Sequence, residues 1–226
     1  MMNGQVALVT GASTPLAETV AVTLARLGVN VVVSGPWAER AEAVVAAARA
    51  IGGVALAVAG PLDTLEQAEA VVGAALDAFG RIDTMIWISP FWNGGFIHEH
   101  SVPVWDRVLA GNLREPFLLS RAVLPVLRRQ GSGQIVAIGS DSSLAAYPRD
   151  GAYNVSLHGL NALMDLVRVE NAEHGIRVHV LAPGLAQTQA ADADGRPNLT
   201  TQHVADWVVW VLGRPDHLRP NGPILI

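Results

Sequence analysis

Ser140 and Tyr153 stand thirteen positions apart, a hydroxyl after one apolar run and a phenol at the start of the next helical segment. Two such donors converging on one oxygen make an oxyanion hole, able to polarise a carbonyl or stabilise an enolate, and removing one donor of that kind typically costs about 10² to 10³ in rate. The chain holds fifteen arginines and no lysine, and the residue four past the tyrosine is Leu157. With no cation beside it, a phenol of pKa about 10 is ionised at pH 7 in roughly one molecule in a thousand, so Tyr153 reads as a proton donor rather than a base. Downstream of another apolar run, Trp92, His98, Glu99 and His100 sit on one loop. A histidine there reads as a general base. No third ligand is spaced to complete a metal site with the histidine pair, so no metal is expected. His158 lies five residues past Tyr153 and faces another side of its helix.

The elements that must position these groups alternate between short β-branched runs and alanine-rich helical segments, the pattern of a parallel sheet covered on both faces. Strands are predicted at Gln5–Val9, Asn30–Ser34, Val54–Ala59, Thr84–Ile88, Gln134–Gly139 and Arg177–Ala182. Each is a continuous apolar run, as a buried parallel strand requires. Long helices are predicted from about Val104 to Arg129 and from Gly151 to Glu173, with a last one over Thr201–Leu212. The two long irregular stretches, Pro90–Pro103 and Gly184–Thr200, both follow strand carboxyl ends, where open α/β sheets bind ligands. The reading is one α/β domain over 1–226, a Rossmann-like doubly wound parallel sheet in three layers.

Composition narrows the function. Half of the residues are hydrophobic and 15% charged, with a net charge of −5 and no basic run, which argues against a nucleic-acid partner. The mean hydropathy of +0.33 points to a covered oligomer surface and an apolar ligand. The absence of cysteine removes disulfides, zinc thiolates and a thiol nucleophile. Met1–Thr10 has no basic leader and runs into a strand, and no apolar stretch reaches the roughly 18 residues of a membrane helix. A cytoplasmic protein without membrane contact is expected.

Taken together, the Ser140–Tyr153 pair, the strand-to-helix turn Thr10-Gly11-Ala12-Ser13-Thr14-Pro15-Leu16-Ala17, Asn112 within Gly111-Asn112-Leu113, and Pro183-Gly184 followed by Thr188 resemble the short-chain dehydrogenase family over nearly the whole chain. The resemblance implies a dinucleotide site at Gly11, Ser13, Thr14, Pro183, Gly184 and Thr188, with Ser140, Tyr153 and Asn112 as catalytic residues. The departures are equally specific. The family's lysine is Leu157, and of the T-G-x-x-x-G-x-G glycines only Gly11 remains. Ser34-Gly35-Pro36-Trp37 supplies neither an acid for ribose hydroxyls nor an arginine for a 2′-phosphate. Gly60 stands where the family has an aspartate, and Trp87-Ile88-Ser89-Pro90 replaces N-N-A-G.

These losses point to a redox-neutral catalyst of lyase, cyclase or isomerase type, working without a cofactor on a small apolar carbonyl compound held by Ser140 and Tyr153. Its pocket is expected between Trp87–His100 and Gly184–Gln189, lined by Trp87, Trp92, His98, His100, Leu157 and Leu185. Halohydrin dehalogenases resemble this family, lack the nicotinamide cofactor and keep the serine and tyrosine, but they carry arginine at the Leu157 position. Two alternatives stand: an NADP- or NAD-dependent ketoreductase with a weakened cofactor site, and a non-catalytic subunit paired with an active relative. A homodimer or homotetramer through the two long helices is expected.

Overall fold

Buried runs of valine, isoleucine and leucine form seven parallel strands in the computed structural model, which describes residues 2–88, 91–184, 199–215 and 222–226. They are β1 (Val6–Val9), β2 (Asn30–Gly35), β3 (Ala55–Ala59), β4 (Thr84–Ile88), β5 (Gly133–Ile138), β6 (Ile176–Ala182) and β7 (Ile224–Leu225). The sheet order is β3-β2-β1-β4-β5-β6-β7. Connections run outward one way from β1 and the other way from β4, so the order reverses between them. This doubly wound arrangement opens a crevice above the carboxyl ends of β1 and β4.

Helices cover both faces. Helices α1 (Pro15–Arg26), α2 (Ala38–Ala50) and α7 (Thr201–Leu212) bury alanine and valine against Val9, Val31, Val33 and Ile138. Helices α3 (Leu65–Phe79), α5 (Glu115–Gln130) and α6 (Gly151–Asn171) bury leucine and valine against Leu8, Met85, Trp87 and Ile135. Alternate residues of each strand thus enter different cores, which is why these strands read as unbroken apolar runs.

The helix expected over Val104–Arg129 is instead three pieces: α4 (Val102–Leu109), one π turn (Ala110–Arg114) and α5. The cause lies in the sequence. Pro116 has no N–H to return to the Asn112 carbonyl. The Glu115 N–H reaches five residues back to Ala110, and the helix widens by one residue, as π turns do at functional sites. The widened turn carries Asn112. The helix expected to Glu173 ends at Asn171 and finishes as a short 3₁₀ turn, and β7 was not foreseen.

Two buried titratable side chains act on stability with opposite signs. His179 on β6 faces α7, its Nε2 3.3 Å from Gln134 Oε1, while Gln134 donates to the Leu212 carbonyl at the end of α7. Burial, aided by nearby Arg177, pulls the imidazole down to about 4. The unfolded chain therefore takes up a proton that the folded chain refuses, and stability is lost as pH falls from about 6.5 towards 4. Glu115 is pushed up to about 7 by burial and then by Asp63. Its contribution is present below the unfolded value of about 4.5 and lost as pH rises through 7. Each effect is on the order of 3 kcal/mol at its limit and they offset between pH 5 and 7. Urea midpoints should separate them: Glu115→Gln gains on wild type at pH 8 but not at pH 4, and His179→Gln gains at pH 4 but not at pH 8. The same gain at both pH values in either variant would refute the assignment.

Candidate active site

The turn after β1 retains the geometry of a phosphate cradle with fewer donors. Gly11 has φ +79°, and a Cβ there would lie 3.1 Å from Ile88 Cβ, so both conformation and close approach require glycine. Thr14 caps α1: its hydroxyl accepts from the Ala17 N–H and donates to the Gly11 carbonyl, and its own N–H bonds that carbonyl. Ser13 is half-buried within the turn. Pro15 takes the first helical position, where its missing N–H is least costly. Leu16 then holds the N–H at this helix terminus with no partner among the described residues. Ala17 is fully buried against the sheet, so the third glycine's packing role tolerates a methyl. A dinucleotide fits this turn through fewer contacts.

At the end of β2 a cavity of about 570 Å³ is lined by Pro36, Trp37, Ala38, Glu39 and Arg40. Trp37 precedes α2 without a side-chain cap, leaving the Ala38 and Glu39 N–H groups open beside the Arg40 side chain. The sequence reading stopped at Trp37 and missed this arginine. Its signal was its place in the first turn of the helix that follows.

Ser140 extends from β5, but its hydroxyl does not point a proton into the site. It donates to Asp141 Oδ1 at 2.8 Å and accepts the Ser142 N–H at 3.3 Å. Tyr147 donates to the other Asp141 oxygen at 3.4 Å, and Asp141, with smaller contributions from burial and Asp150, holds that phenol above its ordinary range. Ser142 donates to Asp150 at 2.6 Å. Ser140, expected as a carbonyl donor, here gives its proton to Asp141. Tyr153 sits half-buried in the first turn of α6, which packs on the Asp141–Ser143 turn.

Asn112 is fully buried on the π turn. Its amide donates to the Phe91 carbonyl at 2.7 Å and accepts the Phe91 N–H at 3.3 Å, and it also donates to Ser156 Oγ at 3.2 Å. Ser156 in turn donates to the Tyr153 carbonyl at 2.7 Å. One amide thus braces the exit of β4 against the first turn of α6. Sequence reading missed Ser156, whose only signal was its place three residues past the tyrosine.

Other expected pocket residues fall elsewhere. Trp87 and Leu157 are each 0% exposed and belong to the core, so neither walls a cavity: strand alternation turns Trp87 towards α5, and Leu157 shares the inward face of α6 with Leu160. Trp92 is 69% exposed. His98 is exposed beside Glu99, with Nε2 to Oε1 3.8 Å. Among the described residues no group of three metal-ligating side chains forms. His100 packs where a Cβ on Gly151 would stand, and its Nε2 is buried without a partner. This stitches the 91–100 loop to the start of α6, together with the Gly95 N–H to Arg149 carbonyl bond of 2.6 Å and the Arg149 guanidinium 5.2 Å over the Phe96 ring. The Gly184 N–H donates to the Ile226 carbonyl at 3.0 Å, which fixes the Pro183-Gly184 segment. Leu185 and Thr188 lie outside the described residues. No helix among the described residues is long and apolar enough to cross a membrane.

The strand-order reversal between β1 and β4, with this serine, tyrosine and asparagine on the elements around it, is the arrangement of a dinucleotide-fold scaffold. The short chain dehydrogenase family pattern matches residues 5–198. An uncharacterized oxidoreductase of Thermotoga maritima is 32% identical over 186 residues, 82% of this chain and 73% of that protein. Dehydrogenase/reductase SDR family member 4 of Bos taurus is 33% identical over 193 residues, 83% of this chain and 67% of that protein. A metagenomic short-chain oxidoreductase solved in complex with NADP matches with a TM-score of 0.85 at 30% identity, covering 100% of this chain and 97% of that one. The chain belongs to the short-chain dehydrogenase family.

Replacing Asn112 by alanine strands the Phe91 backbone pair in a buried place. Chemical denaturation should show a loss of about 2–3 kcal/mol. A loss under about 0.5 kcal/mol would mean that the brace is not formed.

Proposed function

We propose that this chain is an NAD(P)H-dependent reductase with NADPH preferred, acting on a polarised double bond to carbon. The observation that carries it is the retained Gly11–Thr14 turn leading into the α1 terminus at the strand-order reversal. The redox-neutral reading drawn from the lost glycines and lysine has less support, since relatives are named oxidoreductases and a structural neighbour was solved with NADP. The hydride-transfer alternative is favoured.

A bound reduced nicotinamide would supply the hydride. Gly11 and the Leu16 N–H would meet the pyrophosphate at the α1 terminus. Arg40 and the open N–H groups of α2 would meet a 2′-phosphate, a charge-assisted contact that NAD cannot make. Leu157 offers no ammonium to the nicotinamide ribose, so affinity rests on the phosphate end. Tyr153, with Leu157 rather than a lysine four residues on, is suited to giving a proton rather than taking one, which favours reduction over oxidation at neutral pH.

A second copy is proposed to cover the α4–α6 face. There a groove of about 630 Å³ is lined by Leu109, Leu113, Phe117 and Leu163 with Asp106 and Arg114, and Leu166 and Val169 stand exposed along α6. Sedimentation should give a dimer or larger for wild type and a smaller species for Phe117→Asp; a wild-type monomer would refute the pairing.

Calorimetry, and quenching of the six tryptophans, should show NADPH bound about 10-fold or more tightly than NADH, with Arg40→Ala removing the difference. Equal affinities in wild type would refute the role of Arg40. No binding of either nucleotide at millimolar concentration would overturn the reductase reading.

A further inference from the structure

The hydrogen-bond inventory of Ser140 restricts what it can hold. A hydroxyl has one proton to donate and two lone pairs to accept with. The proton goes to Asp141 Oδ1 at 2.8 Å and one lone pair takes the Ser142 N–H at 3.3 Å. What faces a ligand is the second lone pair. A carbonyl oxygen is also only an acceptor, so it would meet Ser140 lone pair to lone pair. A ligand N–H would meet it as donor to acceptor, with the Asp141 carboxylate directly behind.

Charge among the described residues near Ser140 runs the same way. The chain has no lysine, and the position past the tyrosine that would carry one is the buried Leu157. The Arg149 guanidinium is stacked over Phe96 at 5.2 Å. Tyr147 offers its proton to Asp141, and Ser142 offers its own to Asp150. These hydroxyls satisfy the carboxylates without neutralising them. Tyr147, exposed and bonded to Asp141, adds an aromatic face beside that carboxylate, a surface that also attracts cations.

Resting on the reductase reading, we propose that the reacting group of the substrate is a protonated C=N bond, an iminium, whose N–H is accepted by Ser140 and whose charge is balanced by Asp141. Hydride from the reduced nicotinamide adds to the iminium carbon, the π electrons become the nitrogen lone pair, and a secondary amine leaves while the nicotinamide is oxidised. No proton is needed from the protein in that step, because the nitrogen arrives protonated. A ketone would end as an alkoxide that must be protonated. The iminium therefore asks nothing of Tyr153 in this step, whereas the ketone draws on its proton.

The test compares 3,4-dihydroisoquinoline with 2-tetralone, a ketone of similar size, by NADPH oxidation with the full chain. Calorimetry on the NADP⁺-loaded protein compares tetrahydroisoquinoline with 2-tetralol. The imine should exceed the ketone in kcat/KM by about 10-fold or more, and the ammonium should bind correspondingly tighter than the alcohol. Asp141→Asn should lower both values for the nitrogen compounds by about 10-fold, and Ser140→Ala, which removes only the accepting oxygen, should abolish the same preference. A ketone preference, or an imine preference untouched by both variants, would overturn the iminium assignment while leaving the reductase reading intact. Failure of both the amine and the alcohol to bind the NADP⁺-loaded protein would overturn it too. Failure to bind NADPH at all would overturn the reductase reading itself.

Discussion

All seven strands run parallel, and the architecture of the site follows from that one constraint. Parallel neighbours can be joined only by crossovers, so every strand ends at the same edge and every strand-to-helix connection begins there. The Gly11 turn, the Phe91–His100 loop, Ser140 and the Pro183-Gly184 segment come from four different strands yet meet at one rim. The reversal of order between β1 and β4 parts their connections and leaves the crevice between them.

Within that rim, polar groups have been reassigned rather than removed. Where the family resemblance implies a lysine, Leu157 fills core, and the first turn of α6 is held by another chain of bonds, from Phe91 through Asn112 and Ser156 to the Tyr153 carbonyl. The π turn makes this reach workable. Pro116 deletes one helix bond, the ladder shifts to five-residue spacing, and Asn112 lies buried on the widened turn. Ser140, often read as a donor from its position alone, is turned by its immediate neighbour Asp141. Its hydroxyl lies 2.8 Å from the Asp141 carboxylate, and the family's ammonium position is the buried Leu157.

The cores on the two sheet faces differ in polar content. The α7 side holds His179 and Gln134, with an amide tied to the last turn of the helix. The α5–α6 side buries Asn112, Ser120, Ser156 and Asn171 around Trp87 and its aliphatic neighbours, while the partly buried Glu115 lies beside Asp63. Each ionisable group is displaced towards its neutral form because water is kept out and the nearest charge has the same sign. Stability in the mildly acidic range is thus a balance between two distant sites.

Six of the seven strands, the limits of the last helix and the doubly wound class were legible in the residues themselves, because continuous apolar runs and alanine-rich segments report burial through period and length. Thr84–Ile88 and Thr201–Leu212 were read to the residue. The positions of Ser140, Tyr153, Asn112 and Gly11 were legible as well, since each follows a strand or opens a helix. Their roles were not. Trp87 and Leu157 were named as pocket residues although packing was the favoured reading of both, and strand alternation and the inward face of α6 place them in the core. Arg40 and Ser156 carried no motif. Whether Ser140 gives or receives a hydrogen bond depends on a carboxylate oxygen 2.8 Å away. Sequence by itself determined which groups are present and along which elements they lie, for local pattern encodes period and burial. Only the tertiary structure decided which proton each hydroxyl spends and on whom, because that is set by distances between atoms that the chain order does not contain.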